Sequence, residues 1–305
     1  MSEPEKTSGP YIALTAAQVF FGSLPVIGKV VLEAVPPISV VGFRVGITAL
    51  VLVIIQTYRR RLWLKQKGDY VHLAVLSLFG VIFNQILFIT GLSLTKASNT
   101  SLLAVTIPIF ALTAGALAGF ERLTGIKIFG ITLAALGVII IIDPRNASFS
   151  SDTTKGDILI ILNSLSYGIY VATSKSVITR NGVFRSMMWV FVFASIVCVP
   201  LGLWSFSSVD AHAIGLVIWL LILHVALAAT AAPYLLNAYA LAKVPPSTVA
   251  VFVYLQPLIG FLLAVAFLGE QIDFRFIIAA LMVFAGVFLV SKRSKQVAPS
   301  TLPVT

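Results

Sequence analysis

Long apolar stretches follow one another along almost the whole chain, separated by short polar connections. Ten of these stretches come close to the roughly 20 residues that an α-helix needs to cross the hydrocarbon core of a bilayer. They cover residues 11–32, 37–57, 71–94, 98–120, 125–142, 157–178, 186–206, 213–241, 246–268 and 273–291. The pattern predicts an all-α membrane protein with ten transmembrane helices.

The second half of the chain repeats features of the first half. Three pairs of residues lie 149 positions apart: Pro108 and Pro257, Glu121 and Glu270, and Gly137 and Gly286. Upstream, Lys29 and Lys175 lie 146 positions apart, so a small insertion brings one half onto the other. Because each half holds five predicted helices, an odd number, the second copy enters the bilayer from the opposite side. Two inverted five-helix repeats around a central cavity are an architecture of carriers.

The repeat also sets the predicted domain organisation. We predict an N-terminal tail (residues 1–10), a first repeat (11–142), a connecting loop (143–156), a second repeat (157–291) and a C-terminal tail (292–305). The connections between helices are too short to fold alone, so no soluble domain is expected.

The composition agrees with a membrane protein. Of the 305 residues, 59% are hydrophobic and only 10% are charged, which leaves too little polar surface for a soluble globule. Cys198 is the only cysteine and lies in an apolar stretch, so we expect neither a disulfide framework nor a cysteine metal site. His72, His212 and His224 are scattered, whereas metal or acid–base chemistry needs a cluster. We therefore expect no metal, no cofactor and no enzymatic activity.

The positive charges predict the orientation in the membrane. With the N-terminus inside, fourteen residues fall on the cytoplasmic side: Lys6, Arg59, Arg60, Arg61, Lys65, Lys67, Arg122, Lys127, Arg180, Arg185, Lys243, Lys292, Arg293 and Lys295. Four fall on the other side: Lys96, Arg145, Lys155 and Arg275. This asymmetry follows the positive-inside rule and predicts that both termini are cytoplasmic in the inner (plasma) membrane. Because the net charge of +10 is spread by membrane side, nucleic acid is not an expected partner.

Several short motifs keep the order and spacing of a known family. They are Phe21-Gly22-Ser23 with Lys29, Pro36-Pro37, Phe43-Arg44, the run from Pro108 to Glu121, and its counterpart from Pro257 to Glu270. Together they resemble the EamA branch of the drug/metabolite transporter superfamily over residues 11–291. The resemblance implies ten helices in two repeats around a central cavity, and export or exchange of small metabolites. It does not imply which metabolite.

Polar side chains inside the predicted helices are the candidates for holding a solute, because such groups are costly in lipid and tend to face a bundle interior or water. The clearest set lies in helix 6, where Asn163, Tyr167, Tyr170 and Ser174 recur at helical spacing and share one face. Candidates from other helices are Asn84, Gln85, Thr106, Phe110, His224, Tyr234, Asn237, Tyr254 and Gln256. The alternative for each is a hydrogen bond between helices without substrate contact.

Five residues are candidates for gating or anion binding. Arg44 lies about a third of the way into helix 2, where it could bind a substrate carboxylate or have a structural or gating role. Lys29 and Lys175 are repeat equivalents that could flank the two mouths of the pathway or snorkel to the headgroups. Pro108 and Pro257 sit mid-helix, where they could allow bending or impose a static kink.

Two further patterns bear on coupling and packing. No Asp or Glu lies in the middle of a predicted span, which disfavours proton antiport driven by a carboxylate. His224 is the titratable candidate for a proton relay, and a helix-packing histidine is the simpler interpretation. Gly115 and Gly119 form a G-x-x-x-G pattern, for which we expect close helix packing.

The leading functional hypothesis is an exporter or facilitator of small polar metabolites, amino acids first, that works by alternating access between the repeats. One alternative is an exchanger of anionic solutes such as phosphorylated or nucleotide-sugar-like metabolites. A second, from another class, is a non-transport membrane receptor or structural protein. The expected partners are a small-molecule substrate and the lipid bilayer, with the chain as a monomer or weak homodimer.

Overall fold

The computed structural model describes residues 8–142, 151–259, 262 and 274–291. Across these residues the regular structure is entirely helical. In chain order the helices are α1 (Gly9–Leu32), α2 (Pro37–Tyr58), α3 (Gly68–Leu94), α4 (residues 97–117), α5 (Gly125–Ile142), α6 (Ser151–Asn181), α7 (Val183–Phe206), α8 (Leu216–Leu241), α9 (Pro246–Ile259 within the described residues) and α10 (Phe274–Ser291). The predicted tails, most of the connecting loop, and the end of predicted helix 9 with Glu270 lie outside the described residues.

The helices have the length and composition of membrane spans. Seven helices of the described chain are long and apolar enough to cross a bilayer, and α4, α5 and α9 contribute shorter apolar segments. The predicted all-α membrane fold is therefore confirmed. Several helices begin earlier than predicted, most clearly α6, which starts at Ser151 instead of residue 157.

Contacts between the two halves follow a two-fold pattern. The pairs α2–α7 and α5–α10 pack together, and each pair joins helices at equivalent places in the two halves. The pairs α1–α8 and α3–α6 also pack together, and exchanging the halves converts one of these pairs into the other. Inverted repeats that face each other across a pseudo-two-fold axis produce this pattern.

Small residues allow the paired helices to approach closely. A Cβ atom added to Gly42 of α2 would lie 2.7 Å from the Cα atom of Gly202 in α7. A Cβ atom added to Gly137 of α5 would lie 2.7 Å from the carbonyl oxygen of Ala279 in α10. Packing of small residues is a main source of helix association in lipid, where apolar burial between helices gives little driving force.

Interruptions of the helices recur at equivalent places in the two halves. Segments of π-helix interrupt α3 at Leu78–Phe83 and α8 at Leu227–Ala231, and their first residues are 149 positions apart. Short 3₁₀ segments interrupt α4 at Ala104–Thr106 and α9 at Phe252–Tyr254, with first residues 148 positions apart. In addition, α1 is broken at Ser23. Because π-helical segments often occur at functional sites, these interruptions direct attention to the centre of the bundle.

The end of α4 corrects one prediction. The G-x-x-x-G pattern was expected to pack two helices, and helix 4 was expected to reach residue 120. Instead α4 ends at Leu117, and Gly119 has a φ angle of +74°, a left-handed conformation that commonly ends helices. The amide of Phe120 then donates to the carbonyl of Gly115 at 2.9 Å. Gly119 ends the helix, and no atom of the described residues beyond its chain neighbours lies within 4 Å of where its Cβ would be.

Candidate functional site

A cavity between the two halves is the candidate functional site. It holds about 740 Å³ of space free of protein atoms, a volume that includes its open mouth. Its walls come from helices of both halves: Phe21, Leu24, Arg44, Asn84, Gln85, Phe88, Thr100, Ala104, Ile107, Ile160, Asn163, Tyr167, Tyr234, Val253 and Gln256. Most of the wall residues lie in the later parts of α1 and α3 and the earlier parts of α2, α4 and α6. The cavity therefore lies nearer the membrane face at which α1 and α3 end.

A hydrogen-bonded network joins three helices at the cavity wall. The side-chain amide of Asn84 in α3 donates to the side-chain oxygen of Asn163 in α6 at 2.5 Å. The hydroxyl of Tyr234 in α8 is 3.0 Å from the side-chain oxygen of Asn84 and 2.6 Å from the carbonyl oxygen of Gly80. Gly80 lies in the π-helical segment of α3, where the helical hydrogen bonding is irregular. The irregular backbone of α3 is thus stabilised by a side chain from the other half.

Two more polar pairs orient wall residues. Asn237 donates from its side-chain amide to the hydroxyl oxygen of Tyr167 at 2.9 Å, so the hydroxyl hydrogen of Tyr167 is left for another acceptor. Gln256 donates from its amide to the side-chain oxygen of Gln18 at 2.8 Å. These contacts hold the polar ends of Tyr167 and Gln256 in place before any solute enters.

Aromatic rings form a cluster around Tyr234. Its ring centroid lies 6.1 Å from Phe21, 5.1 Å from Phe191 and 6.5 Å from Tyr170. The first two contacts are close to edge-on, with interplanar angles of 72° and 77°, an arrangement that aromatic pairs favour. The cavity therefore offers apolar and aromatic surface beside its amide groups.

Arg44 supplies the charge of the cavity. Its side chain is buried, and its Nε atom donates to the hydroxyl oxygen of Thr230 at 2.9 Å. Thr230 lies in the π-helical segment of α8 and donates its own hydrogen to the carbonyl oxygen of Val225 at 2.7 Å. The Nη1 atom of Arg44 has no hydrogen-bond partner among the described residues. Of the described wall residues, Arg44 alone carries a formal charge.

The predicted site residues divide into two groups. The structure brings seven of them to the cavity: Arg44, Asn84, Gln85, Asn163, Tyr167, Tyr234 and Gln256. It places eleven others away from the described cavity wall: Thr106, Phe110, Tyr170, Ser174, His224, Asn237, Tyr254, Lys29, Lys175, Pro108 and Pro257. Most residues of the second group have evident contacts within the protein.

The buried tyrosines of the second group contact protein. Tyr170 packs behind Tyr167, with ring centroids 6.0 Å apart, and its hydroxyl points to the sulfur of Met187 at 3.5 Å. Tyr254 donates to the carbonyl oxygen of Val105 at 2.7 Å, which connects α9 to the 3₁₀ segment of α4. Both side chains brace the bundle beside the cavity.

The smaller polar and aromatic candidates also contact neighbouring helices or their own helix. Thr106 donates to the carbonyl oxygen of Leu103 in its own helix at 2.7 Å, and Ser174 is completely buried. Phe110 packs against α6 at Gly168. The Nε2 atom of His224 lies 3.3 Å from the hydroxyl of Ser23, where α1 is broken.

Lys29 and Lys175 make equivalent contacts in the two halves. Lys29 of α1 donates to the carbonyl oxygen of Thr95, just after α3, at 2.8 Å. Lys175 of α6 donates to the carbonyl oxygen of Val244, just after α8, at 2.7 Å. Cations at helix C-termini satisfy free carbonyls and complement the helix dipole. The two contacts lie at opposite membrane faces, because the repeats are inverted.

The two prolines occur where their helices are already irregular. Pro108 follows the 3₁₀ segment Ala104–Thr106 after one intervening residue, and Pro257 follows Phe252–Tyr254 after two. The interruption is thus a short tighter turn before each proline. Proline removes a backbone donor, which makes such a turn less costly at these positions.

Polar clusters join helices at the face where α1 begins, and the sequence analysis did not predict their contacts. Glu121 accepts from the backbone amide of Ser247 at 3.2 Å, from its hydroxyl at 2.7 Å, and from Lys127 at 3.1 Å. Asp69 of α3 pairs with Arg180 of α6 through the Nε atom at 3.1 Å. Glu121 and Lys127 are six residues apart, whereas the other pairs are separated by more than 100 positions, so only the fold brings those pairs together.

The apolar wall residues were also not predicted. Phe21, Phe88 and Ile160 look like ordinary lipid-facing or core residues in a chain with so many apolar positions. A prediction of the break of α1 at Ser23 would have indicated this part of the wall, because Phe21 and Leu24 lie on either side of the break. Among the described residues, no group of three or more His, Cys, Asp or Glu side chains is placed to hold a metal ion.

Comparisons with known proteins cover most of the chain. The EamA-like transporter family matches residues 8–143 and again residues 154–292. An uncharacterized transporter of Archaeoglobus fulgidus is 27% identical over 270 residues, which cover 88% of this chain and 92% of the relative. The uncharacterized transporter YetK of Bacillus subtilis is 26% identical over 306 residues, covering 96% of this chain and 89% of the relative.

A solved structure shares the fold. One crystal structure superposes with a TM-score of 0.74 at 16% sequence identity, and the match covers 93% of this chain and 96% of the other. At this identity the similarity shows the fold alone. The double match to one family also agrees with a chain built of two related halves.

Proposed function

The chain belongs to the EamA-like transporter family, and we propose that it carries small polar metabolites, amino acids first, across the plasma membrane as an exporter or facilitator. The observation that supports this most is the cavity itself, which is lined by amide, hydroxyl and aromatic side chains from both halves. A solute held there contacts both repeats at once. Movement of one half against the other would therefore change the side to which the solute is exposed.

The two lysine contacts support alternating access. Lys29 ties α1 to the end of α3 at one membrane face, and Lys175 ties α6 to the end of α8 at the other. The cluster of Glu121 and Ser247 holds α4 to α9 at the face where α1 begins, while the cavity lies toward the opposite face. We infer that the described conformation is closed at the first face, and that transport requires this cluster to open.

The cavity chemistry favours amino acids over phosphorylated solutes. Amide groups of Asn84, Gln85 and Asn163 can meet polar groups of either kind, and the aromatic surface suits an apolar side chain. Exchange of phosphorylated solutes needs several cations at the site. Lys29 and Lys175 are bound to carbonyl oxygens instead of lining the cavity.

Counterflow in liposomes tests the proposed function. Purified protein is reconstituted in vesicles loaded with an unlabelled solute, and uptake of the same labelled solute is measured across a panel of amino acids, monocarboxylates and phosphorylated metabolites. We expect exchange of amino acids with and without a pH gradient, and none by vesicles lacking the protein. Exchange of phosphorylated solutes alone, or no exchange of any solute, would contradict the proposal.

A further inference from the structure

We propose that Arg44 binds the carboxylate of the transported solute, so that the cavity takes small molecules that carry one carboxylate. This inference rests on the transport function proposed above and names the substrate class of the same site. On this inference, the Arg44 side chain alone distinguishes an amino acid from analogues that lack the carboxylate charge or carry a phosphate instead.

The first support is the orientation of the guanidinium group. Its Nε atom is held by Thr230, and the hydroxyl of Thr230 is itself held by the carbonyl oxygen of Val225. This chain of two hydrogen bonds fixes the plane of the guanidinium from the side of α8. The Nη1 atom remains a donor without a partner among the described residues, although Arg44 is only 2% exposed. A buried donor in this state is costly unless a ligand or water meets it.

The second support is the charge balance of the cavity. None of the described wall residues is acidic, so the described wall of the cavity provides no counterion for Arg44. Asp157, a buried acid that is not among the wall residues, instead accepts from Thr95 at 2.6 Å and from Asn99 at 3.0 Å. A cation inside a bilayer is costly without a partner or water. The carboxylate of an entering solute completes the ion pair with Arg44.

The third support is the chemistry around the guanidinium. Gln85 lines the same cavity and is 2% exposed. Its amide interacts with the hydroxyl of Tyr234, but neither amide atom makes a hydrogen bond of normal geometry to the described residues. A planar guanidinium matches a carboxylate, and the amide oxygen of Gln85 can accept from an ammonium group. One fixed cation matches one negative charge, whereas a phosphate monoester brings close to two.

Competition with matched analogues tests the inference. The tracer is the amino acid that exchanges fastest in the counterflow panel, and the competitors are the same amino acid, its carboxamide and its deaminated acid. For L-leucine these are leucinamide and 4-methylpentanoate. We expect leucinamide to compete at least about tenfold more weakly than leucine, the loss expected for a hydrogen bond to a charged group. We expect 4-methylpentanoate, which keeps the carboxylate, to compete more strongly than leucinamide.

Variants at position 44 identify the residue responsible. Arg44→Gln removes the charge, and we expect it to lose the preference for leucine over leucinamide, whereas Arg44→Lys should keep part of it. Arg60→Gln, in the loop after α2, is the control and should keep the wild-type preference. If Arg44→Gln does not fold, as judged by size-exclusion chromatography in detergent, Arg44→Lys takes its place, and a preference for leucine unchanged from wild type in Arg44→Lys would overturn the role of the guanidinium.

The outcomes separate the inference from the function on which it rests. Equal competition by leucine and leucinamide in wild-type protein would overturn the role of Arg44 while amino-acid transport stands. The role of Arg44 is equally overturned if Arg44→Gln folds and keeps the wild-type preference. If no carboxylate in the panel is exchanged at all, both the proposed function and this inference are wrong.

Discussion

The contact between α2 and α7 leads to a quantitative prediction for Gly42→Ala. The added methyl group would lie 2.7 Å from the Cα atom of Gly202 and 2.9 Å from the carbonyl oxygen of Cys198. Carbon atoms pack at about 3.5–4.0 Å, so the two backbones must separate by about 1 Å or distort. Overpacking of this kind costs about 1–3 kcal/mol of unfolding free energy. Because these helices join the two halves, the whole bundle should be affected.

The single cysteine provides the assay. Cys198 lies in α7 one turn before Gly202 and is 1% exposed, so a thiol-reactive maleimide dye reports separation of the helices. In detergent, we expect the dye to react with Gly42→Ala at a lower temperature than with wild-type protein. At a fixed temperature below the unfolding transition, α2 and α7 should separate about 5- to 150-fold more often in Gly42→Ala than in wild-type protein.

Gly68→Ala is the matched control. Among the described residues, no atom beyond its chain neighbours and the backbone of its own helix lies within 4 Å of the position of its added Cβ at the start of α3, so crowding is absent there. Replacing glycine by alanine at such a position should leave stability unchanged or raise it slightly. Reaction of Gly42→Ala with the dye at the same temperature as Gly68→Ala, or at a higher one, would refute this reasoning.

Two other substitutions test contacts around the cavity. Tyr234→Phe removes the hydroxyl that meets Gly80 and Asn84, and we expect about tenfold weaker competition by amino acids in counterflow, whereas unchanged competition would place the solute elsewhere. Lys175→Met keeps most of the side-chain volume but loses the charged hydrogen bond to the carbonyl oxygen of Val244. We expect the unfolding free energy to fall by about 1.5–3 kcal/mol, so that the dye reacts with Cys198 at a lower temperature than in wild-type protein. An unchanged transition would show that this contact does not stabilise the bundle.

The pattern in α6 shows what the sequence can and cannot provide. Helical spacing predicted that Asn163 and Tyr167 share one face, because spacing determines which face a residue occupies, and both residues line the cavity. It did not distinguish them from Tyr170 and Ser174, which share the face but lie further along the helix, where other helices cover them. Whether a position on this face meets the cavity or another helix depends on where the neighbouring helices cross α6. The periodicity of one helix does not contain this information.

The lysines and the helix interruptions show a second limit. The repeat identified Lys29 and Lys175 as equivalents, and the structure gives them equivalent carbonyl partners. The partners themselves could not be predicted, because they are backbone atoms and carry no sequence signal. The π-helical segments Leu78–Phe83 and Leu227–Ala231 were missed for a related reason, since they depend on side chains from other helices to satisfy the backbone.

The central claim is that solutes cross through the cavity between the halves, and thiol labelling at Phe88 tests it most directly. Phe88 lines the cavity, whereas Phe83 of the same helix is not among the wall residues and is 46% exposed. Each is changed to cysteine in a chain with Cys198→Ser, and counterflow is measured before and after reaction with a maleimide. We expect labelling of Phe88→Cys to abolish counterflow and the solute to slow that labelling, while labelled Phe83→Cys stays active. Full labelling of Phe88→Cys with unchanged counterflow would contradict the account.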